Sequence, residues 1–133
     1  MITGECNCGD IAFEITAKVS DVYVCHCSIC RRATGSSGIA VIVVNNKEFS
    51  WVRGKELIKT WHKPKHDWQT SFCQNCGSSL PGANDESRMY VPAGVISSGA
   101  DELRVTHHIY VDSKASWDEI ADNGKQHREG FTG

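Results

Sequence analysis

The chain lacks any apolar stretch of membrane-spanning length. Its longest run, Gly38-Ile-Ala-Val-Ile-Val-Val44, is far shorter than the roughly 20 residues a bilayer helix requires. It also lacks a basic excess: 14 Lys and Arg stand against 16 Asp and Glu, for a net charge of −2. A protein that lives on phosphate contacts carries the opposite balance, so nucleic acid is not an expected partner. The start of the chain, Met1-Ile-Thr-Gly-Glu-Cys6, has neither a basic nor an apolar leader region. A cytoplasmic location, with no membrane partner, is the expectation. Only three prolines (64, 81 and 92) occur, no segment has linker composition, and no 20–50-residue unit repeats. With 133 residues, 40% hydrophobic and 23% charged, residues 1–133 are expected to form a single globular domain.

What the chain does have is cysteine. There are seven, an odd number, so a fully paired disulfide framework cannot use them all. They fall into three tight groups, Cys6-x-Cys8, Cys25-His26-Cys27-x-x-Cys30 and Cys73-x-x-Cys76, and none stands alone. In a reducing compartment such clusters point to metal or redox chemistry.

The hydrophobic period is mostly two, the strand period. Ile11, Phe13 and Ile15 alternate with Ala12, Glu14 and Thr16, which predicts one buried face. Val22–Val24 leads into the cysteine triplet, and the continuously apolar Ile39–Val44 suits a central strand. Further strands are expected at Glu48–Val52, Glu56–His62, Trp68–Phe72, Arg88–Val91 and Val105–Val111. Helix signals are sparse. Cys27–Ala33 fits one short turn ended by Gly35. Ser116-Trp-Asp-Glu119 has capping-box spacing and Asn123-Gly124 supplies a stop, which predicts a short helix over Trp117–Asp122. The expected fold class is mainly β: antiparallel strands with short helical turns, and cysteines in the turns.

Structural zinc takes four ligands in a tetrahedron, whereas catalytic zinc keeps three protein ligands and an open position. Two partitions of seven thiols follow. In one, Cys6, Cys8, Cys73 and Cys76 share an ion, and Cys25, Cys27 and Cys30 hold a second. In the other, Cys27 and Cys30 join Cys73 and Cys76 in a ribbon-like site, leaving Cys6, Cys8 and Cys25 over. Local geometry favours the first, because one turn can aim all three sulfurs of Cys25, Cys27 and Cys30 at one point. Gly9 and Gly77 immediately follow two of the groups, as expected where tight turns wrap a metal. Four thiolates on Zn²⁺ sum to −2 and close the site. Three sum to −1, leave a position for an incoming thiol, and are followed by Arg31 and Arg32, which can offset that charge or hold an anion.

The other candidates have ordinary roles. His26 lies between two ligands and is expected to point away from their ion. His107 and His108 share a strand, so only one can face inward. His62 and His66 read as solvated, and Trp51, Trp61, Trp68 and Trp117 as core aromatics. Ser28 is placed to donate to a metal-bound sulfur.

The runs Gly4-Glu-Cys-Asn-Cys-Gly9, Cys25-His-Cys-Ser-Ile-Cys-Arg-Arg32, Phe72-Cys-Gln-Asn-Cys-Gly-Ser78 and His108-Ile-Tyr-Val111, with Trp117, resemble the glutathione-dependent formaldehyde-activating enzyme family, which includes the centromere protein V group. The resemblance implies an antiparallel β-tent-like fold. It implies two zinc ions, a structural one on Cys6, Cys8, Cys73 and Cys76 and a catalytic one on Cys25, Cys27 and Cys30. It further implies a carbon–sulfur lyase or synthase that adds glutathione to formaldehyde or a similar small aldehyde, giving S-hydroxymethylglutathione. Arg31 and Arg32, next to the triplet, are expected to help hold the anionic tripeptide. The chain departs from the family pattern at Val95-Ile-Ser-Ser-Gly99 and at Asn123–Gly133. The rival reading is a noncatalytic zinc module that binds another macromolecule.

Overall fold

The computed structural model describes residues 1–131. Among them thirteen strands and one α-helix follow in the order β1 (Ile2–Glu5), β2 (Ala12–Ile15), β3 (Asp21–Cys25), α1 (Ser28–Thr34), β4 (Ile39–Asn45), β5 (Phe49–Arg53), β6 (Ile58–His62), β7 (Gln69–Cys73), β8 (Ser79–Leu80), β9 (Gly82–Ala83), β10 (Arg88–Pro92), β11 (Ile96–Ser98), β12 (Arg104–Ile109) and β13 (Lys125–Gln126). Short 3-10 turns punctuate them at Asn46–Glu48, Lys55–Leu57, Ala93–Val95 and Val111–Ser113. No helix among the described residues is long and apolar enough to cross a membrane.

The strands build three sheets. A four-stranded sheet runs β11-β1-β2-β5, a six-stranded sheet β13-β12-β3-β4-β10-β9, and a three-stranded sheet β6-β7-β8. Pairing is antiparallel except at two parallel pairs, which depart from expectation. β12 lies parallel to β3, with His108 opposite Val24 and Ile109 opposite Cys25, and β13 lies parallel to β12. A parallel neighbour needs a long crossover. Here almost eighty residues separate β3 from β12, a relation no local pattern records.

The apolar face of the Ile11–Ile15 run is buried as expected, though Ala12 of the other face is buried too. Phe13 and Ile15 seed a core with Ile2, Val22, Ile42, Val44 and Val91. Fully burying side chains of this size is worth about 1.5–3 kcal/mol each relative to exposure. Phe13 stacks on Phe49 at 5.4 Å and meets Trp51 edge-on at 6.2 Å. Gly4 has no side chain because Phe13 and the Val95 carbonyl occupy that space. A smaller core of Cys6, Ile11, Cys73 and Leu80, flanked by Trp51, Leu57 and Ile58, lies at the other end of β2.

β4 is central as expected, paired with β3 and β10. Its unbroken apolar run serves two faces. Ile42 and Val44 enter the core, while Ile39 and Val41 line a cavity on the opposite side.

Two expectations need correction. Trp117–Asp122 is not helical but an irregular chain with a turn closed by the Asp118 amide on the Ala115 carbonyl, 3.1 Å. The carboxylates of Asp118 and Asp122 approach buried histidines instead of sitting on a helix surface. The tryptophans divide as well. Trp51 packs against both cores, but Trp61 is half exposed and Trp117 is 70% exposed. Trp61 lies on β6, an edge strand, and Trp117 in the irregular segment, so neither has an opposing layer to cover it.

Candidate metal centres

Seven cysteines form two clusters. The Sγ atoms of Cys6, Cys8, Cys73 and Cys76 all lie within 4.8 Å of one another, as do those of Cys25, Cys27 and Cys30. The sulfurs therefore meet in the four-plus-three division and not in the ribbon-like one. All seven are free thiols.

Two similar turns build the four-cysteine cluster. The Gly9 amide bonds the Cys6 carbonyl (3.0 Å) and the Gly77 amide bonds the Cys73 carbonyl (2.8 Å). Both glycines have φ near +80°, at 79° and 76°, a region that favours glycine. The turns aim amide hydrogens at sulfur. Ile11 N–H donates to Cys6 Sγ and Asn75 N–H to Cys73 Sγ, both at 3.4 Å. The Asn75 side-chain amide then donates to Asp10 Oδ2 (3.0 Å), tying one turn to the other. Cys6 and Cys73 are buried, whereas Cys8 is exposed. Hydrogen bonds from the Ser78 hydroxyl and amide stabilise the Cys76 thiolate, taking its pKa down to about 5.

The donor set fits zinc. Four sulfurs at the ordinary Zn–S length of 2.3 Å in a tetrahedron lie about 3.8 Å apart. Cys6 and Cys8 are 3.5 Å apart, and Cys8 and Cys73 3.8 Å.

The three-cysteine cluster sits where β3 runs into α1. Cys25 ends the strand, Cys27 caps the helix with extended φ and ψ (−64°, 157°), and Cys30 is in the first turn. Cys27 Sγ accepts the Cys30 amide hydrogen at 3.3 Å, a sulfur doing what a Ser or Asp oxygen usually does at this position. Side chains tilt toward a helix N-terminus, so Cys30 points back at Cys25 and Cys27. The Cys30 contact, against the upward push of burial, lowers the Cys25 thiol to about 6 and holds the proton on Cys30. Helix α1 ends at Gly35, in the left-handed region, as the sequence predicts.

Cys30 also lines a cavity of about 610 Å³ between the six-stranded and three-stranded sheets. Ile39 and Val41 of β4, Leu80 of β8 and Tyr90 of β10 supply apolar and aromatic wall, and Trp68 and His66 come from the loop before β7. His62 and His66 are exposed, as expected, but both reach this wall. Burial raises the Tyr90 phenol pKa against the opposing Ser71 hydrogen bonds, so it stays neutral. Arg31 and Arg32 occupy the last turn of α1 and are not among the residues lining the cavity. Arg32 is exposed and Arg31 half-buried.

His26 turns away from the triplet sulfurs, as expected, but into the interior. It is 2% exposed, and its Nε2 lies 2.8 Å from Nδ1 of His108. Of the adjacent pair on β12, His108 faces inward. His107 stacks on Tyr23 at 5.1 Å beside His127 and Phe131. Sequence reasoning missed Tyr90, Asp118 and the role of Asp122. No spacing rule connects β10, or the segment after β12, to a turn at Cys25.

Fold and site together define a mainly β protein with two cysteine clusters that could each hold a metal ion, one built from remote turns and one from a single turn beside a cavity. The chain belongs to the glutathione-dependent formaldehyde-activating enzyme family, whose model matches residues 1–113. A Halomonas elongata protein that carries the provisional name of glutathione-dependent formaldehyde-activating enzyme is 26% identical over 128 residues, covering 90% of this chain and 81% of that protein. A crystal structure of a Rhodobacter sphaeroides protein superposes with a TM-score of 0.59 at 21% identity, over 73% of this chain and 89% of that one, and supports the fold alone.

Proposed function

We propose that the protein is a zinc-dependent carbon–sulfur lyase or synthase that joins a thiol, glutathione in the first instance, to formaldehyde or a similarly small aldehyde. The observation that carries this reading is the position of Cys30, at once a member of the three-sulfur cluster and part of the wall of a 610 Å³ cavity. Cys6, Cys8, Cys73 and Cys76 would hold a closed, structural ion, and Cys25, Cys27 and Cys30 a second ion with one position free. That second ion, when bound, keeps an incoming thiol deprotonated at neutral pH.

The cavity confines thiol and aldehyde together, turning a bimolecular addition into a nearly unimolecular one. A carbon–sulfur bond forms as the thiolate pair enters the carbonyl carbon. The carbonyl π pair moves to oxygen, which takes from solvent a proton equivalent to the one the thiol released. The reverse step returns both partners. Ile39, Val41 and Leu80 give this space an apolar wall, and neutral Tyr90 adds no charge to it. Arg31 and Arg32 follow Cys30 directly and offset the negative charge of the three-thiolate centre.

Thiols and formaldehyde combine rapidly without help, so exchange at equilibrium is the measurement. Magnetization transfer between glutathione and its hydroxymethyl adduct should quicken in proportion to protein concentration, and Cys27→Ser should abolish the effect. Equal exchange rates with wild type and Cys27→Ser would refute the catalytic reading and favour a noncatalytic zinc module.

A further inference from the structure

Two imidazoles lie buried behind the three-cysteine turn. His26 is 2% and His108 4% exposed, their ring centroids 5.0 Å apart. Burying polar rings is costly unless their nitrogens are partnered, and an apolar pair would fill the same volume without that cost. Three of the four nitrogens are joined in one hydrogen-bonded row. His26 Nε2 is 2.8 Å from His108 Nδ1, and His108 Nε2 is 2.8 Å from Asp122 Oδ1.

The proton positions in the row follow from its end. An ionised carboxylate only accepts, so His108 Nε2 carries hydrogen and, in the neutral ring, Nδ1 accepts. The donor into Nδ1 is then His26 Nε2–H. On the far side of the His26 ring, Nδ1 is 3.5 Å from Asp118 Oδ2 and makes no hydrogen bond with it, so the short Asp122 contact and not Asp118 sets the row. Both carboxylates come from one irregular segment, and the Asp122 end is tightly built. The Gly124 amide donates to Asp122 Oδ1 at 2.8 Å. A Cβ on Gly124 would come within 2.9 Å of both Asp122 Oδ1 and His108 Cδ2.

His26 is the residue between two cluster members, and its main chain is anchored too: its amide donates to the Ile109 carbonyl at 2.9 Å. Anchoring the ring as well as the amide fixes the backbone at position 26. That backbone sets how the Cys25 and Cys27 sulfurs point relative to each other. The carboxylates lie beyond residues 1–113, the stretch that matches the family model, while the histidines lie within it.

We propose that the segment 114–124 braces the three-cysteine turn, with Asp122 acting as a positioning residue through His108 and His26. The inference rests on the reading of Cys25, Cys27 and Cys30 as a metal centre. Groups behind metal ligands fix ligand orientation, and their loss typically costs 10–100-fold in metal affinity. Here the support reaches the ligands through the residue between them.

The test uses the full chain loaded with cobalt at both centres and challenged with a chelator. Wild type should release metal in two phases, the faster from the three-cysteine centre. Asp122→Ala should speed the fast phase about 10–100-fold and shift the cobalt–thiolate bands of that centre, leaving the slow phase unchanged. Asp122→Asn retains an accepting oxygen and should recover most of the wild-type behaviour. The nitrogen-15 spectrum of wild type, which needs no variant to fold, should show His108 protonated at Nε2 and bare at Nδ1. An unchanged fast phase in Asp122→Ala, equal acceleration of both phases, or the opposite His108 tautomer overturns the brace alone. A wild type that loads one cobalt overturns the metal reading of the triplet, and the brace with it.

Discussion

Replacing one buried cysteine in each cluster separates a tie across the fold from a tie within one turn. Cys73 and Cys30 are 1% and 5% exposed, so Cys→Ser places a hydroxyl in similarly buried ground at both. The desolvation cost of that hydroxyl, about 1–3 kcal/mol, nearly cancels between the two variants. What differs is the loop each centre closes. Cys8 and Cys73 are 65 residues apart in sequence yet 3.8 Å apart at sulfur. A cross-link closing a loop of that length restricts the unfolded chain by about 4 kcal/mol, against about 2 kcal/mol for the six residues from Cys25 to Cys30. At about 2.1 cal/mol/K of unfolding entropy per residue, 1 kcal/mol moves the midpoint of a chain this size by about 3–4 °C. Cys73→Ser should therefore melt about 8 °C below Cys30→Ser in the metal-loaded state. Cys30→Ser should keep the wild-type far-ultraviolet circular dichroism while losing one metal. Differential scanning calorimetry with metal analysis on the same samples gives both numbers. Equal midpoints, or a lower one for Cys30→Ser, would refute the assignment of the remote cluster as the structural tie.

Protein purified without chelator should contain about two zinc ions per chain, and graded chelation should remove one with the fold retained before the second departs with unfolding, read by metal analysis against circular dichroism. Gly38→Ala should cost about 1–3 kcal/mol and weaken metal retention at the three-cysteine centre, because a Cβ there runs into the Cys25 carbonyl and pushes on the β3–β4 pairing; chemical denaturation and metal content check it. Stability should fall with acid in two stages. Burial, then Lys125, lowers the His127 pKa, so the folded form resists a proton that the unfolded chain accepts, and stability drops as pH falls below about 6.5. The His108 hydrogen bond lowers the Asp122 pKa, so its contribution, present above the ordinary carboxylate range, is lost as pH falls below about 4. A melting midpoint flat from pH 7 to 5 would contradict the first stage.

Residues close in sequence announced their structure, and residues brought together by the sheets did not. The period-two run Ile11–Ile15, the helix between Cys27 and Gly35 and the turns at Gly9 and Gly77 depend on neighbours within a few positions, and each forms as its pattern indicates. The four-plus-three grouping was legible because three sulfurs within six residues already exclude most alternatives. The capping-box spacing at Ser116–Glu119 misled for a physical reason. Five or six residues of helix are marginal without tertiary support. Here the competing hydrogen bonds of Asp122 with His108 and the Gly124 amide hold the segment irregular. The cavity was not legible at all, since its wall draws on β4, β8, β10 and the loop before β7, whose adjacency is set by sheet order.

That sheet order also explains why the two cysteine clusters would behave differently as metal sites. The four-cysteine cluster joins the turn after β1, in the four-stranded sheet, to the turn after β7, in the three-stranded sheet. Its buried sulfurs, Cys6 and Cys73, are part of the second hydrophobic core, so opening this centre exposes Ile11 and Leu80 as well as the thiols. The three-cysteine cluster hangs on the six-stranded sheet, and its sulfurs come from one strand end and one helical turn. Cys30 itself lines the cavity. A centre that closes a long loop inside a core gains stability from being inaccessible. A centre made within one turn adds less to the fold, and on the brace proposed above its sulfurs are positioned by what lies behind them, the His26–His108 pair and Asp122.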